Sequence, residues 1–507
     1  MRQSMKFACC VLTGAWMILG GTFNLYAEVK PASIFASHMV LQRGKPVPVW
    51  GTASGGEQVV VSFNGQEKMT KAEPSGAWMV KLDPMKEGGP FTLKIGGLAF
   101  EDVLIGEVWL GAGQSNMAIG STGVAKNDPV LAEWLNNSFP EIRIAWGAKG
   151  DWRVAKTGAS FPALPYAFAV NLRKQLNVPV GIVVGAVPGS STDFWLMPQA
   201  VQADEACRAA IRTYAESLYP RLQKEYQARL KKWEAEDAAA HTTKKPEPPL
   251  EPGAATHPVG KFFEAHIRPV IPFAIRGVLW DQGENGPSIT GTDRCMVMRA
   301  LITSWRREFG QGDLPWIYVQ KPSGGGCAWD PANPMNRLAT PFSPLPEKMM
   351  GSGALRAQFV NLLNVPNAFM VITSDLSPGL HPPNKSGYGC RAAEIAMVAA
   401  YGRKAEIYGP LYASHKIEGG RMRITFTHIG KGLAIRHGAQ LQGFAVAGEN
   451  RRFVWADAVI EGETVLLSSP SVPNPVAARY AWDEKCAWAN LFNQDGLPAQ
   501  TFRTDSW

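Results

Sequence analysis

Long apolar runs are missing from the chain beyond its first 27 residues, so no later segment is expected to cross a bilayer as a helix. Cysteine is scarce, with 7 in 507 residues and no CxxC pair, which argues against a structural zinc site. The formal net charge is +8 and the pI about 9.0, yet acids and bases are interspersed. No arginine-rich arm, zinc-finger spacing or RNA-binding signature accompanies that charge, so nucleic acid is not the expected partner. A mildly basic surface suits an acidic polysaccharide or a sialic acid equally well. Apolar residues make up 46% of the chain, and its length predicts about three folding units.

The N-terminus reads as an export signal over residues 1–27. Arg2 and Lys6 precede the mostly apolar stretch Phe7 to Leu25, and Ala27 offers a small residue for cleavage. The expected location is therefore secreted or periplasmic, without stable membrane insertion after cleavage. An uncleaved anchor is the alternative, weakened by Thr13, Gly20, Gly21 and Asn24. Cys9 and Cys10 leave with the signal. Cys207, Cys295, Cys327, Cys390 and Cys486 are scattered and odd in number, so they dictate no disulfide.

Residues 28–104 read as β. Val59, Val61 and Phe63 alternate with other positions before the hairpin dipeptide Asn64-Gly65, and Trp78 to Leu82 forms a second run. Over 105–402 the pattern becomes α/β. Apolar runs at Val103–Leu110, Val180–Val184, Gly277–Trp280, Trp316–Val319 and Phe369–Thr373 alternate with helical spacing at Pro165–Asn177 and Thr292–Phe309, and from about Asn384 or Lys385. Buried strands alternating with helices predict a mostly parallel sheet. A polar helix from Tyr214 to about Ala240 and the proline-rich Lys244–Pro249 form an insertion over 214–256. Residues 403–507 return to β, with Met422, Ile424 and Phe426 alternating.

In such a sheet, sites form where the strands end at their carboxyl edge. The loops there are Gly113 to Met117, Val187 to Asp193, Asp281 to Gly286, and Ser374 to Lys385. Together they hold a serine, glycines with free amides, carboxylates and a histidine, a set suited to acyl transfer. Ser115 follows a strand and two glycines, so it is either a nucleophile at a tight turn or a helix N-cap. Its context, Gly113-Gln-Ser115-Asn-Met117, is not the G-x-S-x-G elbow of α/β-hydrolases. His381, beside two prolines, is the natural base, with a structural surface histidine as the alternative. Gly189 and the loop around Gln282 and Asn285 are candidate donors to an oxyanion. Trp195, Trp280 and Trp329 are candidates for stacking on sugar rings, or simply core. Ser323 to Gly326 is not a phosphate-binding P-loop, since no Gly-Lys-Ser/Thr follows.

These blocks, taken together, resemble the sialate O-acetylesterase family of the SGNH-hydrolase superfamily. The resemblance runs through Ser33 to Gln42, Pro46 to Gly51, Gly106 to Trp109, Gly113 to Met117, Gly277 to Trp280 with Gln282 to Glu284, and His381 to Lys385. It implies a flavodoxin-like three-layer domain with a parallel sheet, flanked by N-terminal and C-terminal β domains. It further implies hydrolysis of acetyl esters on sialic acid or related sugars, with Ser115 as nucleophile and His381 as base, and no metal or cofactor. An acetylxylan or other polysaccharide deacetylase is the alternative enzyme, and a non-catalytic carbohydrate-binding protein the rival class. The family's aspartate three residues before the histidine is replaced by Pro378. Asp375 is then the expected orienter of the imidazole, with Glu284 or a backbone carbonyl as alternatives. Oligomeric state is silent in the sequence.

Overall fold

The computed structural model describes residues 29–236, 243–324, 341–349 and 351–507. The expected export signal, Cys327 and Trp329 lie outside the described residues. No helix among the described residues is long and apolar enough to cross a membrane.

A twisted sheet organises the middle of the chain. Its strands are β1 (Leu98–Gly113), β2 (Phe139–Trp146), β3 (Trp152–Ala155), β4 (Val180–Ala186), β5 (Gly277–Asp281), β6 (Trp316–Val319) and β7 (Ala368–Val371). They lie in the order β3-β2-β4-β1-β5-β6-β7, all parallel except the antiparallel edge β3. The five apolar runs read from the sequence become β1, β4, β5, β6 and β7. Strand β2 was not among them. Its Pro140 and the charged Glu141 and Arg143 break the apolar pattern, and the buried Arg143 is paired with Asp102 at 3.0 Å and with the Pro140 carbonyl.

The two faces of the sheet belong to two cores, as the period-two alternation of a strand requires. Val108, Leu110, Val278, Trp280 and Tyr318 face one core, shared with the N-terminal strands. Trp109, Ile182, Leu279 and Ile317 face the other, beneath helices Ala163–Leu176 and Lys385–Tyr401. Strand β1 belongs to both halves of this architecture. Its first residues pair with Gly88–Ile95 and with Val40–Gln42, its last with β4 and β5.

In the N-terminal region the hairpin forms where expected. Asn64 and Gly65 both take positive φ, 46° and 77°, between strands Gln58–Phe63 and Gln66–Lys71. The C-terminal region folds into short antiparallel sheets around a third core that includes Met422, Ile424 and Phe426. The polar helix starts earlier than its spacing suggests, at Glu205, and runs to Glu236 with Pro220 inside it.

Candidate active site

Strands β1, β4, β5, β6 and β7 deliver their carboxyl ends to one edge of the sheet, and each is followed there by a polar loop. At the centre, Gly113 has φ +138°, and a Cβ on it would sit 2.1 Å from the Asp281 carbonyl. Glycine is therefore required for β1 and β5 to end this close together. The chain then turns at once into a short helix, Ser115–Ala118. The Ser115 amide opens the first turn, where no intrahelical carbonyl is available to accept it.

His381 arrives from the far side of the sheet, on the loop between β7 and helix Lys385–Tyr401. Its Nε2 lies 2.9 Å from Ser115 Oγ, a hydrogen bond across 266 residues of sequence. This is the contact a serine needs if its hydroxyl is to act as a nucleophile near neutral pH. The loop is fixed from several directions. Asn384 caps the following helix by accepting from the Gly387 amide at 2.9 Å, and the Asn384 amide donates to Ser377 Oγ at 3.1 Å. Asn116, next to the serine, donates to the Leu380 carbonyl at 2.9 Å.

Asp375 does not reach the imidazole. It is fully buried and holds Arg391 in a two-pronged ion pair, both oxygens at 2.7 Å. The bond geometry explains why: the guanidinium of the next helix matches the carboxylate fork, so both oxygens are taken. Glu284, the alternative, is also engaged elsewhere. It accepts from Asn116 at 2.8 Å and from Gln114, and pairs with Lys321 at 2.8 Å. It thereby grips both neighbours of Ser115. Among the described residues no carboxylate stands within ion-pair distance of His381, whose hydrogen bond is to Ser115.

The oxyanion candidates are brought together, in altered roles. Gln282 accepts from Thr192 Oγ1 at 2.8 Å and donates to the carbonyls of Ser190 and Asn285, at 3.2 and 2.6 Å. Asn285 donates to the Gly189 carbonyl at 3.0 Å. These two side chains tie the loop after β4 to the loop after β5, and the Gln282 carboxamide is spent on that task. Gly189, at φ +73°, stays exposed on the site's rim with a backbone amide available to a ligand.

Beneath the serine turn lies a charged layer that sequence reasoning did not single out. Lys321, just past β6, is buried between Asp281 and Glu284, at 2.7 and 2.8 Å. Burial opposes its charge, but the two carboxylates hold its pKa above the usual lysine value. Burial pushes the Asp281 carboxyl up, with Lys321 only partly offsetting it. At Glu284 the same burial penalty is outweighed by Lys321 and the hydrogen bonds, which bring it below the ordinary carboxylate range. Lys385 is also buried, 2.7 Å from Asn116 Oδ1, and burial pulls it down to about 7. A lysine directly after an apolar strand, and another opening an apolar helix, were the available signals for both.

Trp195 and Trp280 are not sugar platforms. Both are wholly buried and pack edge to face, with ring centroids 6.1 Å apart. Among the described residues no cluster of His, Cys, Asp or Glu is arranged to hold a metal ion. What the site contains is a serine hydroxyl hydrogen-bonded to an imidazole beside backbone amides, an arrangement suited to acyl transfer.

No family model matches the chain. It is similar to the sialate O-acetylesterase of Rattus norvegicus, 28% identical over 436 residues that cover 75% of each chain. It is 24% identical to the sialate O-acetylesterase of Pongo abelii over 504 residues, covering 89% of this chain and 87% of that one. Among solved structures, a carbohydrate acetylesterase from Xanthomonas citri matches with a TM-score of 0.73 and 28% identity, covering 95% of this chain and 100% of that one.

Proposed function

We propose that this chain, a carboxylic ester hydrolase related to the sialate O-acetylesterases, removes O-acetyl groups from sugars, with an O-acetylated sialic acid as substrate. The observation that carries this reading is the 2.9 Å contact between Ser115 Oγ and His381 Nε2. In the reaction, Ser115 Oγ attacks the ester carbonyl while His381 takes its proton. The negative charge on the carbonyl oxygen is met by the amides of Ser115 and Gly189. The tetrahedral intermediate collapses to an acetyl-serine, and His381 returns the proton to the departing sugar hydroxyl. Water, deprotonated by the same imidazole, then releases acetate and restores the serine.

The catalytic pair works as a dyad in this reading. Asn116, Glu284 and Lys321 set the serine turn, Asn116 sets the histidine loop, and Asp375 fastens that loop's base to Arg391. We assign residues 1–27 to an export signal, 28–104 and 403–507 to β domains, and 105–402 to the esterase domain, which places the mature enzyme outside the cytoplasm. Acetate release from 9-O-acetylated sialic acid and from acetylated xylan tests the reading. Wild type is expected to release acetate and prefer the sialate, with Ser115→Ala and His381→Ala each at least about a thousandfold slower. Equal rates in wild type and Ser115→Ala would overturn the mechanism; a preference for xylan would overturn the substrate.

A further inference from the structure

Arg294 stands at the start of helix Arg294–Phe309, at the end of the loop that carries Gln282, Glu284 and Asn285. Its Nε and Nη1 are buried and make no hydrogen bond among the described residues. No carboxylate there pairs with it. Glu284 acts on it only through space, because its oxygens already serve Gln114, Asn116 and Lys321. The guanidinium lies over the Phe359 ring, 5.6 Å from its centroid, and that ring backs the same loop at Gly283. A desolvated guanidinium without an anion is costly to keep, and the cost falls when an anion arrives.

The opening for such an anion is at Gly286. A Cβ there would sit 2.9 Å from Arg294 Nη2, so only a glycine leaves room beside this nitrogen, which unlike Nε and Nη1 is not among the buried unpaired atoms. Gly286 adjoins the exposed Asn285, which reaches to Gly189 on the rim. The neighbouring cations differ: Lys321 is shared by Asp281 and Glu284 and Lys385 donates to Asn116, whereas Arg294 Nε and Nη1 have no hydrogen-bond partner among the described residues.

We propose that Arg294 binds the carboxylate of an acidic sugar while that sugar's acetyl ester lies at Ser115. A charge-assisted bond from the guanidinium to a carboxylate is about twice as strong as a neutral one, and neutral sugars offer no such acceptor. This inference rests on the esterase reading above and sharpens it to substrates that carry a negative charge.

The test uses the full chain and three acetyl esters: 9-O-acetyl-N-acetylneuraminic acid, its C1 carboxamide, and O-acetylated polygalacturonate. In wild type, kcat/KM should fall at least about tenfold from the carboxylate to the carboxamide, mainly through KM. In Arg294→Gln that carboxylate-to-carboxamide ratio should shrink towards one, and Arg294→Lys should restore part of it. Activity on the polygalacturonate that depends on Arg294 would mark a general acidic-sugar site, and its absence a sialate site. Equal wild-type rates on carboxylate and carboxamide would overturn the inference without needing any variant to fold. If Ser115-dependent hydrolysis of a neutral aryl acetate persists in that case, the esterase reading survives; if no acetyl ester is cleaved at all, that reading is what has failed.

Discussion

Asn116 Nδ2 donates to the Leu380 carbonyl across 2.9 Å, so the residue after Ser115 holds the residue before His381. The same side chain donates to Glu284 at 2.8 Å and accepts from Lys385 at 2.7 Å. It is fully buried, and its hydrogen bonds join the serine turn after β1 to the loop after β5 and to the segment after β7. With no acid on the imidazole among the described residues, this link is the proposed substitute for the orienting that a third triad member would do.

Asn116→Ala should therefore act on turnover. A shift of the histidine loop of about 1 Å is enough to cost on the order of a hundredfold in rate. The expected result is a fall in kcat of about ten- to a hundredfold with KM little changed, in a protein whose circular dichroism matches wild type. Asn116→Asp should be at least as damaging, because the new carboxylate faces Glu284. A wild-type kcat in Asn116→Ala would show that the loop is held by other means.

Asp375 calls for the opposite expectation. Its carboxylate is wholly buried against Arg391, and breaking a buried ion pair leaves a charge uncompensated at a cost of about 3–5 kcal/mol. Asp375→Asn should lower the urea midpoint clearly, while the folded fraction at low temperature keeps a pH–rate profile like that of wild type. A folded Asp375→Asn enzyme with a collapsed kcat and a shifted profile would return the residue to the catalytic group.

Part of this was visible in the sequence. Ser115 and His381 sit in loops after continuous apolar strands, and loops in that place converge whatever lies between them. Asp375 was misplaced because its partner is sixteen residues away on the next helix, and only the packing of that helix against β7 brings Arg391 under it. Trp280 misled for a related reason, since an indole on a parallel strand covered on both faces is core, and Trp195, in a short 3-10 helix, packs against it. Lys321 and Lys385 were not singled out, since burial of a lysine depends on partners, here supplied at the ends of β1 and β5.

Lys385 gives the site a signature in its pH dependence. Its folded-state pKa is about 7, below the unfolded value near 10.5. Between those limits the unfolded chain binds more protons, so stability rises with pH across that window and the penalty is complete below about pH 7. Lys321 is shifted the other way, upward, so its window lies above 10.5 and leaves this range untouched. Wild type should gain stability from pH 7 to pH 9, on the order of 2 kcal/mol more than Lys385→Met gains. Parallel urea-midpoint curves for the two proteins would mean that Lys385 keeps its proton, and with it a solvated setting.

Gly113 is the position where backbone alone decides the outcome. Its φ of +138° is unfavourable for any residue with a Cβ, and the added atom would meet the Asp281 carbonyl at 2.1 Å, well inside contact distance. The strand ends must then separate, since the obstacle is backbone and has no rotamer to change. That separation would pull apart the hydrogen bonds from the Gln114 amide to the Asp281 carbonyl, at 2.9 Å, and from the Val187 amide to the Gly113 carbonyl, at 3.0 Å. Both bonds align Ser115 with the loops after β4 and β5. Gly113→Ala is expected to lower the melting temperature and, in whatever folds, to reduce kcat at least about tenfold. The informative control is Gly123→Ala, where an added Cβ meets nothing within 4 Å and the backbone is already helical. It should leave both readouts near wild type, and a Gly113→Ala protein that behaved like that control would show that the β1–β5 approach is not what sets the nucleophile.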